Sequence, residues 1–137
     1  MKNRRDFIKT SLAITTGIVV TKITPAFANA NKHSFSKGIV YTKDAPGKWV
    51  KKVGLHFPIV TVDHDTVTIE TKHPMSEKHY IVRHTLVSGN GEVLGGKTFY
   101  PSDEKPLSVF EVKGKHSVLY ATSFCNKHDL WVAEFSK

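Results

Sequence analysis

Short runs of β-branched and aromatic residues, separated by turn-forming residues, restrict the fold of this 137-residue chain more than any other feature. No stretch shows a sustained helical period of apolar residues. Runs of this length, divided by Gly, Pro, Asn and Asp, are typical of antiparallel strands. They predict an all-β, immunoglobulin-like antiparallel β-sandwich of about seven strands, with a small barrel as the alternative. The strand-like runs lie at residues 39–41, 59–62, 67–71, 80–87, 92–100, 107–112, 117–123 and 130–135.

The first 30 residues are organised differently from the rest. A twin-arginine pattern at Arg4 and Arg5 is followed by an apolar run from Ser11 to Val20 and by small-x-small cleavage sites within residues 26–30. This order is typical of a bacterial twin-arginine (Tat) export signal. Because the apolar run is shorter than the roughly 20 residues that span a bilayer, we expect cleavage and no stable membrane insertion afterwards. The predicted organisation is a signal peptide (1–30), a flexible leader (31–37) and a periplasmic domain (38–137).

The charge distribution argues against a nucleic-acid partner. The formal net charge of the chain is +8, and about half of it belongs to the signal peptide. The domain that remains carries scattered lysines, with no arginine-rich stripe and no interleaved aromatic residues. We expect this charge to favour solubility, with a mild attraction for small anions.

Four histidines and one cysteine lie near the ends of the predicted strands, where sites are usually built. The first histidine is expected in a loop just before a strand, and the next two at the two ends of one loop. The cysteine and the last histidine are expected in the loop between the final two strands. Because loops at one end of a sandwich can converge, the sequence predicts one metal site formed by His56, His73, His79, Cys125 and His128.

Cys125 is the only cysteine of the chain, so it cannot form an internal disulfide. A free cysteine is commonly a small core residue. Here its neighbours in sequence are polar, and an unpaired thiol is a liability in an oxidising compartment unless it is shielded or bound to a metal. These observations favour ligation. The other histidines are not expected to be ligands: His33 and His64 should be solvated, His116 begins a strand and has no partner in sequence, and His84 should be hydrogen-bonded in the core.

The type of ligand narrows the choice of metal. Imidazole suits iron, copper and zinc, and one thiolate adds electron donation. Structural zinc normally closes its shell with four ligands, whereas five ligands suit iron and leave a sixth position for a small molecule. A blue-copper site would need an axial Met soon after His128, and the only Met beyond the signal peptide is Met75.

Three segments in this order resemble superoxide reductase, the iron domain of neelaredoxin and of the C-terminal part of desulfoferrodoxin. They are His-x-Pro at 56–58, His-Pro-Met-x-x-x-His-Tyr-Ile at 73–81 and Cys-Asn-x-His-x-x-Trp at 125–131. The resemblance covers about residues 38–137. It implies a mononuclear iron with four equatorial imidazoles, Cys125 as the axial thiolate and an open position for superoxide. The implied reaction is the reduction of superoxide, with one electron and two protons, to hydrogen peroxide.

The resemblance also implies an external electron donor protein, because the additional iron centre of desulfoferrodoxin needs four cysteines. A homo-oligomer stays open. The chain departs from the family where many members have Glu-Lys directly before the first histidine, because here these positions are Gly54 and Leu55. We expect Lys51 and Lys52 to substitute for that pair. The alternatives are a non-catalytic iron-binding or electron-transfer module on the same fold, and a metal-free exported domain that binds a partner.

Overall fold

The computed structural model describes residues 35–137, and the predicted signal peptide and residues 31–34 of the leader lie outside these residues. Within the described part, eight strands form two sheets, as the all-β prediction requires. The larger sheet has the order β1-β8-β7-β4-β5 and the smaller one the order β2-β3-β6. The strands are β1 (Val40–Tyr41), β2 (Ile59–Asp63), β3 (Thr66–Glu70), β4 (Ile81–Ser88), β5 (Val93–Thr98), β6 (Leu107–Glu111), β7 (Leu119–Cys125) and β8 (Asp129–Phe135).

One pairing departs from the antiparallel prediction. β1 pairs with β8 in parallel, with Val40 opposite Leu130 and Tyr41 opposite Trp131. The other pairings, β2–β3, β3–β6, β4–β5, β4–β7 and β7–β8, are antiparallel. β1 closes one edge of the larger sheet, beside the buried Trp131.

A short helical segment lies between β1 and β2, where the sequence shows no sustained helical period. A 3-10 helix covers Gly47–Lys52 and leads directly into a short α-helix, α1 (Val53–His56). Each piece is too short to show an amphipathic period. The position of this helical segment depends on a contact with a residue far away in the sequence, because Nε1 of Trp49 donates a hydrogen bond to Oδ2 of Asp129 at 2.9 Å.

The two sheets bury an apolar core between them. Its central members come from both sheets: Val67, Ile69, Leu86, Val112, Ala121 and Ala133. A second, smaller apolar cluster lies towards one end of the sandwich and contains Ile81, Phe99 and Cys125, with Met75 packed against it. In residues 35–137, no helix has the length and apolar character needed to cross a membrane.

Candidate metal centre

The five predicted ligands come together at the end of the sandwich where the smaller cluster lies. His56 is the last residue of α1, and Cys125 is the last residue of β7, so the prediction that both lie in loops was wrong in its detail. His73 and His79 belong to the connection between β3 and β4, and His128 belongs to the turn between β7 and β8. Three separate segments of the chain, around residue 56, at 73–79 and at 125–128, therefore contribute to one site.

His128 is at the centre of the group. Its Nδ1 lies 2.9 Å from Nε2 of His56 and 2.9 Å from Nε2 of His79. Sγ of Cys125 lies 3.6 Å from the same nitrogen. The possible ligand atoms of these four residues all lie within 4.8 Å of one another. Distances of this size leave space for a single ion that all four side chains could share.

His73 joins the group from the side of His79. Its Nε2 lies 3.1 Å from Nε2 of His79, and its ring centroid lies 4.6 Å from that of His56. The ring is buried, and its other nitrogen, Nδ1, makes no hydrogen bond of ordinary geometry. The structure thus brings all five predicted residues together, with His73 beside the four that form the tightest group.

The ring nitrogens of this group cannot all be satisfied by one another. Nδ1 of His56 donates to the carbonyl of Lys52 at 2.9 Å, which leaves a lone pair on the Nε2 that faces His128. Nδ1 of His128 faces two other ring nitrogens and the sulfur, yet a neutral imidazole carries one N–H in total. Convergent lone pairs of this kind are what a bound cation satisfies.

Burial keeps the imidazoles neutral and therefore ready to act as ligands. It lowers the pKa of His56 to about 4, and the neighbouring imidazoles act in the same direction. It also lowers the pKa of His73 to about 4, with His79 as the next cause. Burial lowers the pKa values of His79 and His128 as well, and the charge of Lys52 adds to both shifts. A metal ion would not have to displace protons from these rings at neutral pH.

The pKa of the Cys125 thiol is shifted upwards, opposite to the pKa values of the imidazoles. Burial raises its pKa, while hydrogen bonding from the backbone of Lys127 and His128 partly offsets the increase. The Lys127 amide donates to Sγ at 3.4 Å. A buried sulfur that receives a backbone N–H is suited to carry negative charge when a cation neutralises it.

Neighbouring groups fix the turn that carries His128. Nε1 of Trp131 donates to the His128 carbonyl at 2.9 Å, and the Trp49 ring contacts the His128 ring edge-on at a centroid distance of 4.6 Å. The next residue, Asp129, has a positive φ of 65° and accepts the hydrogen bond from Trp49. Trp49 and Asp129 could not be predicted from the sequence, because their contact spans 80 positions and leaves no local pattern.

Asn126 ties the β7–β8 turn to the β3–β4 connection. Its Oδ1 accepts a hydrogen bond from the amide of Tyr80 at 3.1 Å, and its Nδ2 donates to the carbonyl of Lys78 at 3.2 Å. These bonds lie on both sides of His79. They fix the position of one ligand segment relative to the other.

The positions before His56 carry no charge that could replace Glu-Lys. Gly54 and Leu55 are both exposed, and a Cβ added at Gly54 would meet no atom within 4 Å. Lys51 is exposed and Lys52 partly buried. The positive charges of Lys52 and Lys127 both act on the ring of His79. The electrostatic surroundings of the site therefore depend on lysines that flank it in space.

The remaining described histidines lie away from the group. His64 is exposed in the β2–β3 turn, and His116 is bonded to the carbonyl of Lys113 at 3.2 Å. His84 is fully buried and has a partner on each ring nitrogen. The position of His33 falls outside the described residues.

The comparisons with known proteins agree with this geometry. The family model for desulfoferrodoxin matches residues 46–134. The chain belongs to the desulfoferrodoxin family. Among solved structures, it is similar to a variant of the superoxide reductase (neelaredoxin) from Ignicoccus hospitalis, with 32% identity and a TM-score of 0.62 over 75% of this chain and 95% of that one. No curated protein sequence matches the chain.

Two further superoxide reductases show the same fold. The one-iron enzyme from Giardia intestinalis is 27% identical, with a TM-score of 0.55 over 60% of this chain and 97% of that one. The enzyme from Treponema pallidum is 28% identical, with a TM-score of 0.51 over 59% and 67%. All three similar structures are named superoxide reductases, which are oxidoreductases.

The donor set of this family member fits iron. Four imidazoles and one thiolate exceed the four ligands of a structural zinc site. Iron accepts both ligand types and a higher coordination number. The residues that could hold it are His56, His73, His79, Cys125 and His128.

Proposed function

We propose that this protein is a periplasmic superoxide reductase that holds one mononuclear iron per chain and reduces superoxide to hydrogen peroxide. The observation that carries the proposal is the set of nitrogen and sulfur atoms around Nδ1 of His128. These atoms face one another, but they carry too few protons for each contact to be a hydrogen bond. Family membership and the named activity of the similar structures support the choice of substrate. The iron, when bound, would supply the electron that superoxide takes up.

Residues of the protein itself would bind the metal, stabilise its ligands and attract the substrate. The four imidazoles and the Cys125 thiolate hold the metal, and the Lys52 carbonyl keeps His56 in the tautomer with a free Nε2. The Lys127 amide stabilises negative charge on the sulfur. Lys52 and Lys127, with Lys51 further out, attract the superoxide anion towards the site.

The location and the partners belong to the same proposal. The twin-arginine pattern before the described residues supports export of the folded protein to the periplasm. Since the chain has one cysteine, it cannot build a four-cysteine electron-transfer centre of its own. We therefore assign electron supply to an external donor protein.

The proposal is tested by the stoichiometry of the products. The iron(II) protein is mixed with superoxide under a continuous supply of reductant, and hydrogen peroxide and dioxygen are measured. A reductase yields one peroxide for each superoxide and no dioxygen. A dismutase yields one peroxide and one dioxygen for each pair of superoxide anions, and that result would contradict the proposal. Cys125→Ser serves as the matched variant and should lose the reaction.

A second function is favoured by one observation, the uncharged pair Gly54 and Leu55 directly before His56. Without a carboxylate and an amine there, the protein could serve as an iron-binding or electron-transfer module with slow turnover. In that case the iron(II) protein would react with superoxide no faster than the free metal ion, while its redox reaction with a donor protein would remain fast.

A further inference from the structure

A layer of buried polar side chains separates the apolar core from the metal centre. It contains Thr71, His84, Ser108 and Ser123, all of which are at most 1% exposed. They come from four places: the residue after β3, then β4, β6 and β7. Buried polar groups are costly unless each is hydrogen-bonded, so a layer that spans both sheets calls for an explanation beyond packing.

His84 is the hub of this layer. Its Nδ1 lies 2.9 Å from Oγ of Ser108, and its Nε2 lies 2.9 Å from Oγ1 of Thr71. Thr71 in turn donates to Oγ of Ser123 at 2.8 Å. Burial lowers the pKa of His84 to about 3, so the ring is neutral and carries one N–H. Since Thr71 gives its proton to Ser123, the N–H of His84 is on Nε2 and Nδ1 accepts from Ser108.

Two members of this chain of hydrogen bonds, Thr71 and Ser123, each lie two residues before a proposed ligand. Thr71 precedes His73 by two residues, and the His73 amide donates to the Thr71 carbonyl at 2.7 Å. Ser123 precedes Cys125 by two residues on the same strand, so both side chains point to the same face of the sheet. The Phe99 ring bridges the layers, because it contacts the His84 ring edge-on at 4.8 Å and belongs to the cluster around Cys125.

We propose that His84 and Thr71 are positioning residues of the metal centre, which act through the Thr71–His73 turn and through Ser123 to fix His73 and Cys125 relative to each other. An apolar pair of similar volume could fill the same space but would leave the turn without its side-chain anchor. Groups that orient ligands in this way typically change metal affinity by about 10-fold or more when they are removed. This inference rests on the proposed metal site.

The test compares Thr71→Val with Thr71→Ser. Valine keeps the shape and removes the hydroxyl, whereas serine keeps the hydroxyl. Affinity for Co²⁺, used as a spectroscopic probe, is measured together with the thiolate-to-cobalt absorption band and the unfolding free energy of the metal-free protein. We expect Thr71→Val to bind Co²⁺ about 10-fold more weakly with a shifted band, and Thr71→Ser to restore both. His84→Leu should resemble Thr71→Val.

Ser88→Ala is the matched control. Ser88 is also buried and hydrogen-bonded, but it lies at the opposite end of β4, where it contacts Asn90 and Glu92. Its removal should lower stability without changing Co²⁺ affinity or the band. If Thr71→Val lowers stability alone, as Ser88→Ala does, the polar layer is a packing feature and the inference is wrong. If the unsubstituted protein binds no Co²⁺, the proposed metal site itself fails.

Discussion

Nε2 of His56 lies 2.9 Å from Nδ1 of His128, although 72 residues separate them in the chain. The first is fixed by the end of α1 and the second by the β7–β8 turn, and Trp49 links the two segments through its bond to Asp129. A hydrogen bond between these two nitrogens stabilises the contact little, because Nε2 of His79 and Sγ of Cys125 also face Nδ1 of His128. The two imidazoles gain more from a shared cation, which makes the contact the geometric signature of the site.

The metal-free protein should lose stability as the pH falls from 6.5 towards 4. His56 and His73 have folded-state pKa values of about 4, and His84 of about 3, whereas 6.5 is the ordinary value. Between these limits the unfolded chain binds more protons, so the stability present above 6.5 decreases with acidification. One pKa unit corresponds to about 1.4 kcal/mol, so the loss is on the order of several kcal/mol. Urea unfolding at a series of pH values measures it.

His84→Leu removes one of these buried rings and should flatten the acid limb of the pH profile of the unfolding free energy. A stability that stays constant between pH 7 and pH 4 would show that the buried rings take up protons as readily in the folded state as in the unfolded chain, and would contradict the lowered pKa values.

His73→Ala should bind less iron than the unsubstituted protein, and His116→Ala should bind the same amount. His73 contacts the ligand group through Nε2, whereas His116 bonds to a backbone carbonyl at the far end of the sandwich. Loss of a ligand typically lowers metal affinity by far more than the 10-fold that follows loss of a supporting group. Iron content per chain after dialysis measures the difference. Normal loading of His73→Ala would exclude the four-imidazole arrangement.

Much of this fold could be predicted from the sequence, because β-branched runs and turns are local signals. All eight predicted runs overlap observed strands. The segment at 47–56 could not be predicted, since its short helices depend on Trp49 meeting Asp129. The parallel β1–β8 pair could not be predicted either, because its two strands lie far apart in the sequence and no local pattern marks them as neighbours. The five candidate ligands could be named from motifs, but the polar layer around His84 could not, because its four members share no spacing.

The reaction with superoxide should slow as the salt concentration rises. Lys52 and Lys127 act on the site through their charge, and such steering is screened, with a Debye length of about 10 Å at 0.1 M salt. Lys52→Gln and Lys127→Gln should each lower the rate at low salt and flatten the salt dependence, and Lys51→Gln should do so less because Lys51 is more exposed. Rapid-mixing or pulse-radiolysis kinetics decide. Unchanged rates in all three variants would remove the lysines from the mechanism.

Restoring a carboxylate at Gly54 should hinder the binding of external anions. Gly54 has free space around its Cβ position, so Gly54→Glu should fold normally. Gly54→Glu places a carboxylate two residues before His56, whereas Gly54→Gln, of the same size, adds no charge. Azide and cyanide titrations of the oxidised proteins should show weaker binding to Gly54→Glu alone. Equal affinities in all three proteins would show that position 54 does not face the open coordination position.

The most direct test of the central claim is metal analysis combined with a visible spectrum of the protein purified anaerobically and then oxidised. We predict one iron per chain and a blue band from charge transfer between the Cys125 thiolate and iron(III), with the band absent in a folded Cys125→Ser variant. A colourless protein that contains zinc, or a blue band that survives Cys125→Ser, would contradict the proposed centre.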